Sequence, residues 1–262
     1  MTKTHRHVYL SPHLDDAVLS CGGRIWRQTQ AGARVLVVTV FAGKPSPDVP
    51  LSPFAQAMHA AWDLVDATAA RREEDAAALT LLGAESVYWP YTDCIYRRTP
   101  DGGFPYASEE ALFGEVHPSD EALIAELGAR FRALALEPGS AVYAPLAVGC
   151  HVDHQIVRRA VAGLEGVTCY EDYPYAGKPG AVEAALGMAR WQEEMVPLAS
   201  DALEVKIAAI ACYSSQFITL GWANAEEMAA AVRAFAERAF AQQTGGDESA
   251  ERYWRLVRAN HE

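Results

Sequence analysis

Residues 34–41, Arg-Val-Leu-Val-Val-Thr-Val-Phe, are apolar almost throughout. Such a run suits a strand with both faces covered, as in a parallel sheet flanked by helices. Residues 7–13 read as a shorter buried strand. Residues 17–31 between the two read as a helix, with Ala17, Leu19, Ser20, Gly23 and Trp26 allowing close packing and Gly32 as its C-terminal stop. Strand, helix and strand in this order imply a right-handed crossover in a parallel sheet. The pattern continues with a helix over 67–82 ended by Gly83, a strand over 85–91, and a helix over 119–136 opened by Ser119 with an acidic first turn. A strand over 141–146, a helix over 152–164 and a strand over 167–173 follow. The C-terminal part is mixed: a strand over 190–197, helices over 202–213 and 223–241, and a strand-like 251–257. Residues 44–64, with room for a short helix over Phe54–Leu64, and residues 92–117 read as long loops. Such loops in a compact domain often build the binding site.

Half of the 262 residues are hydrophobic, enough for one sizeable core, and no repeat or boundary divides the chain. One α/β domain over residues 1–262 is expected. No run approaches the roughly 18 apolar residues of a membrane span, and the first residues lack the apolar core of a signal peptide. The expected location is the cytoplasm. The net charge is −12, and Arg71-Arg72, Arg97-Arg98 and Arg158-Arg159 are pairs without a basic stripe, so no nucleic-acid partner is expected. The five cysteines (Cys21, Cys94, Cys150, Cys169 and Cys212) are odd in number and show no CxxC spacing. Reduced thiols fit this better than a disulfide framework or a structural zinc knuckle.

Two short segments share one design. His13-Leu14-Asp15-Asp16 and His151-Val152-Asp153-His154 each stand where a strand ends and a helix begins. That edge of an open parallel sheet is where ligands bind. The first and fourth strands can be neighbours, so the two turns can meet. Two imidazoles and one carboxylate form a catalytic zinc set with one position open to water. Such chemistry wants a base, for which Asp15 is the candidate, and a donor, for which His151 oriented by Asp153 is the candidate. The competing explanation is structural: Asp at a helix start commonly caps unpaired N–H groups. No GxSxG, HExxH, GxxxxGK[ST] or GxGxxG is present, and Gly22-Gly23 suits tight packing better than a phosphate loop.

These segments resemble the signatures of the PIG-L/LmbE family of zinc-dependent de-N-acetylases. Pro12-His13-Leu14-Asp15-Asp16 is similar to its PHxDD turn and His151-Val152-Asp153-His154 to its HxDH turn. Arg71-Arg72-Glu73-Glu74 with Gly83, and Tyr91-Thr92-Asp93, resemble intervening family segments. The likeness runs from about residue 7 to 175, and more weakly through 206–216. It implies a Rossmann-like fold, Zn2+ on His13, Asp16 and His154, Asp15 as general base, and His151 as the polarising or acid histidine. It makes Arg71 and Asp93 candidates for substrate hydroxyls, against a surface ion pair and a strand-end turn as their structural alternatives. Leu14 and Ala17 depart from the frequent PHPDDE form, and the SPHLDDAVLS segment resembles the branch of glycopeptide pseudoaglycone deacetylases. Thiol-cofactor members often carry a Tyr shortly before the second motif. Here Val148-Gly149-Cys150 stands there, leaving Tyr173 or another loop residue to substitute. The implied activity is hydrolysis of an N-acetyl or other N-acyl group on an amino-sugar glycoside or glycoconjugate. An amidase for a thiol conjugate or larger acyl group, and a metal-bearing sugar-binding module without turnover, are the alternatives. Residues 176–262 are open to covering the site or pairing with another subunit as a homo-oligomer.

Overall fold

The computed structural model describes residues 6–62, 66–134, 139–244 and 248–257. The first strand, β1 (His7–Ser11), leads through a turn into α1 (Asp16–Gln30) and then β2 (Val35–Thr39). α2 (Pro53–Trp62) and α3 (Ala67–Leu82) precede β3 (Glu85–Tyr88). A long excursion carrying α4 (Glu109–Leu112) leads to α5 (Glu121–Arg132), β4 (Ala141–Pro145), α6 (Val152–Ala160) and β5 (Thr168–Tyr170). The remaining elements are α7 (Ala181–Leu186), β6 (Trp191–Leu198), α8 (Ser200–Ile210), α9 (Ala225–Thr244) and β7 (Ser249–Leu256).

The seven strands form one sheet in the order β3-β2-β1-β4-β5-β7-β6. The first five run parallel; β7 is antiparallel to β5 and β6 antiparallel to β7. This is the expected Rossmann-like sheet with mixed C-terminal elements. Chain progression reverses between β1 and β4, and a crevice opens at such a switch point. Both polar turns emerge there.

Alternating side chains of the central strands enter two separate cores, which explains the apolar runs. Val8, Leu10 and Val38 pack with Phe131 of α5 and Ile156 of α6. Tyr9 and Val37 pack on the other face with Leu19 of α1, Leu79 of α3, Ile207 of α8 and Val232 of α9. Gly22 and Gly23 do serve packing: an added Cβ would lie 3.0 Å from Lys206 Cγ and 2.7 Å from Leu198 Cδ2. Gly32 and Gly83 take the left-handed conformation after α1 and α3, as helix stops do.

Several boundaries differ from expectation for local reasons. β2 and β3 stop early because the chains diverge to isolated bridges at Phe41–Pro90 and Gly43–Thr92, and Pro90 has no N–H for a ladder. Ser119 does not open α5. It lies in a one-turn 3₁₀ segment, Pro118–Asp120, where His117 Nδ1 accepts its N–H at 3.1 Å. β5 is shorter than 167–173 because Glu171 and Asp172 turn to side-chain partners, Glu171 to Trp254 and Asp172 to His154. The loop over 44–64 contains α2, and the part of the Phe54–Leu64 expectation at 63–64 lies outside the described residues. Among the described residues, no helix is long and apolar enough to cross a membrane.

Candidate metal centre and active site

The first turn is held by Ser11. Its hydroxyl donates to His13 O at 2.7 Å and accepts from Ala17 N at 3.0 Å. Ser11 thus satisfies an N–H at the start of α1 that an aspartate would ordinarily cap. Asp15 occupies the cap position, makes no side-chain capping bond, and sits at φ 154°, ψ −35°. That conformation is costly for a non-glycine residue. Capping therefore does not explain Asp15. Asp16 Oδ2 accepts from His13 N at 2.7 Å and lies 3.2 Å from His13 Nδ1 and 3.3 Å from His154 Nε2.

The second turn is unusual backbone. Ala147, Gly149 and Cys150 all have positive φ. At Gly149 a Cβ would come within 2.8 Å of the Tyr175 ring, so the position needs glycine twice over. The turn delivers His151 to the cap of α6, where its Nδ1 accepts from Asp153 N at 3.3 Å. A backbone N–H can only donate, so Nδ1 carries the lone pair and Nε2 the proton. The Asp153 carboxylate itself goes elsewhere than expected: its Oδ2 lies 2.9 Å from His13 Nε2. Asp153 meets His151 through its backbone and supports His13 through its side chain.

His154 has a matching partner. Its Nδ1 lies 2.6 Å from Asp172 Oδ1, while Asp172 Oδ2 accepts from Val148 N at 2.8 Å. His13 and His154 thus each give one ring N–H to a buried carboxylate, and each aims its remaining nitrogen at Asp16 Oδ2. His154 Nε2 is buried and has no hydrogen-bond partner. With bonds of about 2.1 Å, tetrahedral zinc ligands stand roughly 3.4 Å apart, close to the 3.2 and 3.3 Å found here. Carboxylate-backed imidazoles are the usual surroundings of such a metal. The residues fit a metal ion. His151 is near enough to join them, since one nitrogen from each of His13, His151 and His154 can be chosen within 4.8 Å of the others.

Burial and the adjacent Asp16 charge push Asp15 up to about 7, against the opposing pull of Arg71. Asp16 resists the effect of burial: the charge of His154 and the His13 and His154 contacts hold it well below the usual carboxylate range. Burial lowers His154, but Asp16 and Asp172 outweigh it and raise it to about 9. Burial, His13 and His154 together depress His151 well below the usual histidine value. Without metal, protons therefore favour His154 over His151.

A cleft of about 770 Å³ opens over this centre. Arg71 and Asp93 both line it. Arg71 points inward from α3, with Nη2 3.4 Å from Asp15 Oδ2, so it is no helix-surface residue. Asp93 has its expected turn role, accepting from Ile95 N at 3.1 Å, and its carboxylate also stands 3.6 Å from His13 Nε2. Tyr173 does not take the vacant tyrosine position. Its ring is packed on Phe235 and Trp222 in the core. Tyr175 is the cleft tyrosine instead, its ring 5.8 Å from His154 and 5.7 Å from Phe113. Sequence reasoning missed Tyr175 and Asp172. An acidic pair ending a strand on the active edge, Glu171-Asp172, is the signal that could have found Asp172.

The fold and the site together fit a metal-centred hydrolase, and the relatives that follow are deacetylases that cleave a C–N amide bond. Residues 8–164 match the GlcNAc-PI de-N-acetylase (PIG-L) family, and the chain belongs to that family. It is 29% identical over 232 residues to a 2′-N-acetylparomamine deacetylase of Streptomyces fradiae, covering 80% of this chain and 73% of that one. Among solved structures, it is similar to the zinc-inhibited form of teicoplanin deacetylase, at 34% identity, TM-score 0.83, and coverage of 98% and 100% of the two chains. It is also similar to the A40926 pseudoaglycone deacetylase, at 29% identity, TM-score 0.72, and coverage of 99% and 100%.

Proposed function

We propose that this chain removes the N-acetyl group of an amino-sugar-containing substrate, with zinc held by His13, Asp16 and His154. The carrying observation is the convergence of His13 Nδ1 and His154 Nε2 on Asp16 Oδ2, with Asp153 and Asp172 fixing the opposite ring nitrogens. A zinc ion held by His13, Asp16 and His154 would supply Lewis acidity, making a bound water more acidic and a carbonyl oxygen more polarised. Asp15 takes the proton of the attacking water, and near 7 it can return that proton to the departing amine. Neutral His151 presents Nε2–H to the amide oxygen as negative charge develops there. Arg71 and Asp93 receive substrate hydroxyls. The deacetylase relatives named above, whose substrates include N-acetylparomamine, support the amino-sugar assignment.

The cleft favours a substrate larger than a bare N-acetyl sugar. Phe54, Met58, Ile95, Leu112 and Phe113 give it apolar walls beyond the metal centre. An N-acyl glycoconjugate with an apolar body would fill that space, which is ample for a drug-sized ligand. Acetate release from N-acetylglucosamine, N-acetylparomamine, thiol-linked sugars and aryl or long-chain glycosides tests both readings, with and without chelator. Zinc-dependent release that rises with apolar bulk is expected. Saturable binding without acetate from any of them would instead support a sugar-binding module.

A further inference from the structure

Arg97 is not among the residues lining the cleft and has no role above. Its side chain is nonetheless only 10% exposed and lies between two buried carboxylates. Nη2 is in direct contact with Asp153 Oδ1, and Nη1 lies 2.7 Å from Asp120 Oδ2. Asp153 is completely buried, and its other oxygen serves His13 Nε2 at 2.9 Å and Cys94 N at 3.0 Å. Asp120 also accepts from Tyr106 OH at 2.7 Å, and that hydroxyl accepts from His117 N at 2.8 Å. The guanidinium carbon stands 4.9 Å from the Phe41 ring centre and 5.4 Å from that of Tyr106. Glu109, Leu112 and Phe113, which line the cleft, lie in the stretch between Tyr106 and His117. One guanidinium therefore joins the carboxylate behind a metal-site histidine to both ends of a cleft wall.

We propose that Arg97 is a positioning residue that fixes Asp153 against His13 and couples metal retention to the folding of the wall over residues 94–120. This rests on the metal-centre reading of His13. A planar guanidinium can serve two carboxylates at once in fixed geometry, which an ammonium cannot. Without it, a fully buried carboxylate keeps only an imidazole N–H and one amide N–H as partners and reorients to find others. The His13 ring then loses the contact that sets its direction. Losing such an outer partner typically costs about 10- to 100-fold in metal affinity. Coupling is reciprocal, so zinc binding must also order the wall.

The test is zinc competition against a chromophoric chelator, paired with hydrogen exchange over residues 97–117 in metal-free and zinc-loaded protein. For wild type, zinc is expected to slow exchange in that stretch. For Arg97→Met, zinc binding is expected to weaken by about 10- to 100-fold, and zinc no longer slows exchange there. Arg97→Lys, which keeps the charge but not the fork, is expected to fall between the two and to serve if Arg97→Met does not fold. Failure of the metal centre itself reads out separately, as wild-type protein that binds no zinc. Zinc affinity within twofold of wild type in a folded Arg97→Met, or in Arg97→Lys should only that variant fold, overturns the proposal.

Discussion

Asp172 Oδ1 lies 2.6 Å from His154 Nδ1, and both side chains are almost wholly closed to solvent. The contact fixes the His154 ring so that Nε2 faces Asp16. An imidazole held this way is also a stronger donor to a metal. Asp172→Asn keeps the shape and removes the charge. Zinc affinity, measured by chelator competition, is expected to fall by about 10- to 100-fold. Unchanged affinity would mean that His154 is not a ligand oriented by this carboxylate.

Asp15 and Asp16 are adjacent in sequence but differ in surroundings. Asp16 meets His13 and His154, while Asp15 faces the cleft with Arg71 beside it. Asp15→Asn is expected to retain zinc and to lose about 10²- to 10⁴-fold in kcat, the usual effect of removing a general base. Asp16→Asn is expected to lose zinc first. Metal content by mass spectrometry and turnover on the same samples separate the two. Equal zinc loss in both variants would refute this division.

Burial, His13 and His154 depress His151 well below the usual histidine value, and its Nδ1 accepts from Asp153 N, which leaves Nε2 to carry the proton. His151→Ala is expected to lower kcat about 10²- to 10³-fold, comparable to losing one oxyanion donor, with substrate KM changed little. A large rise in KM at constant kcat would show that His151 binds the ground state instead.

Asp75 on α3 is buried and accepts from Tyr213 OH at 2.7 Å. Burial raises it from 3.8 to about 6, against the opposing effect of Tyr213. A carboxyl raised in the folded state contributes stability that is complete below pH 3.8 and is lost as pH rises through about 6. Asp75→Asn can still accept the tyrosine bond but does not ionise. It is expected to gain on wild type between pH 4 and pH 7.5, by at most about 3 kcal/mol. Urea unfolding at both pH values checks this, and a constant difference between the two proteins would contradict it.

Much of this was legible in the sequence because apolar runs and helix stops report backbone rules. The strand within 34–41, observed as Val35–Thr39, and the stops at Gly32 and Gly83 were readable for that reason. The two polar turns were legible because a strand end followed by a helix start has few ways to place His13, Asp16, His151 and His154. What escaped were partners that depend on the meeting of distant segments. Asp172 looks like any strand-end carboxylate until β5 is set beside β4. Asp153 was expected to serve His151, two residues before it in the chain, but the β1–β4 pairing brings His13 nearer its carboxylate. Tyr175 rather than Tyr173 faces the cleft because the Tyr173 ring finds Phe235 and Trp222 of the C-terminal region. The short helix expected over Phe54–Leu64 corresponds to α2, whereas the loop over 92–117 hid α4, whose four residues are too few to show a helical period.

The most direct measurement is zinc titration of chelator-stripped protein with acetate release from an N-acetylamino-sugar glycoside followed at each step. Release should be absent without metal and should rise in proportion to bound zinc up to one equivalent per chain. His13→Ala, Asp16→Asn and His154→Ala should each fail to recover it at that loading. Turnover that persists in metal-free protein, or fully loaded protein that releases no acetate from any such substrate, would contradict a zinc-dependent deacetylase.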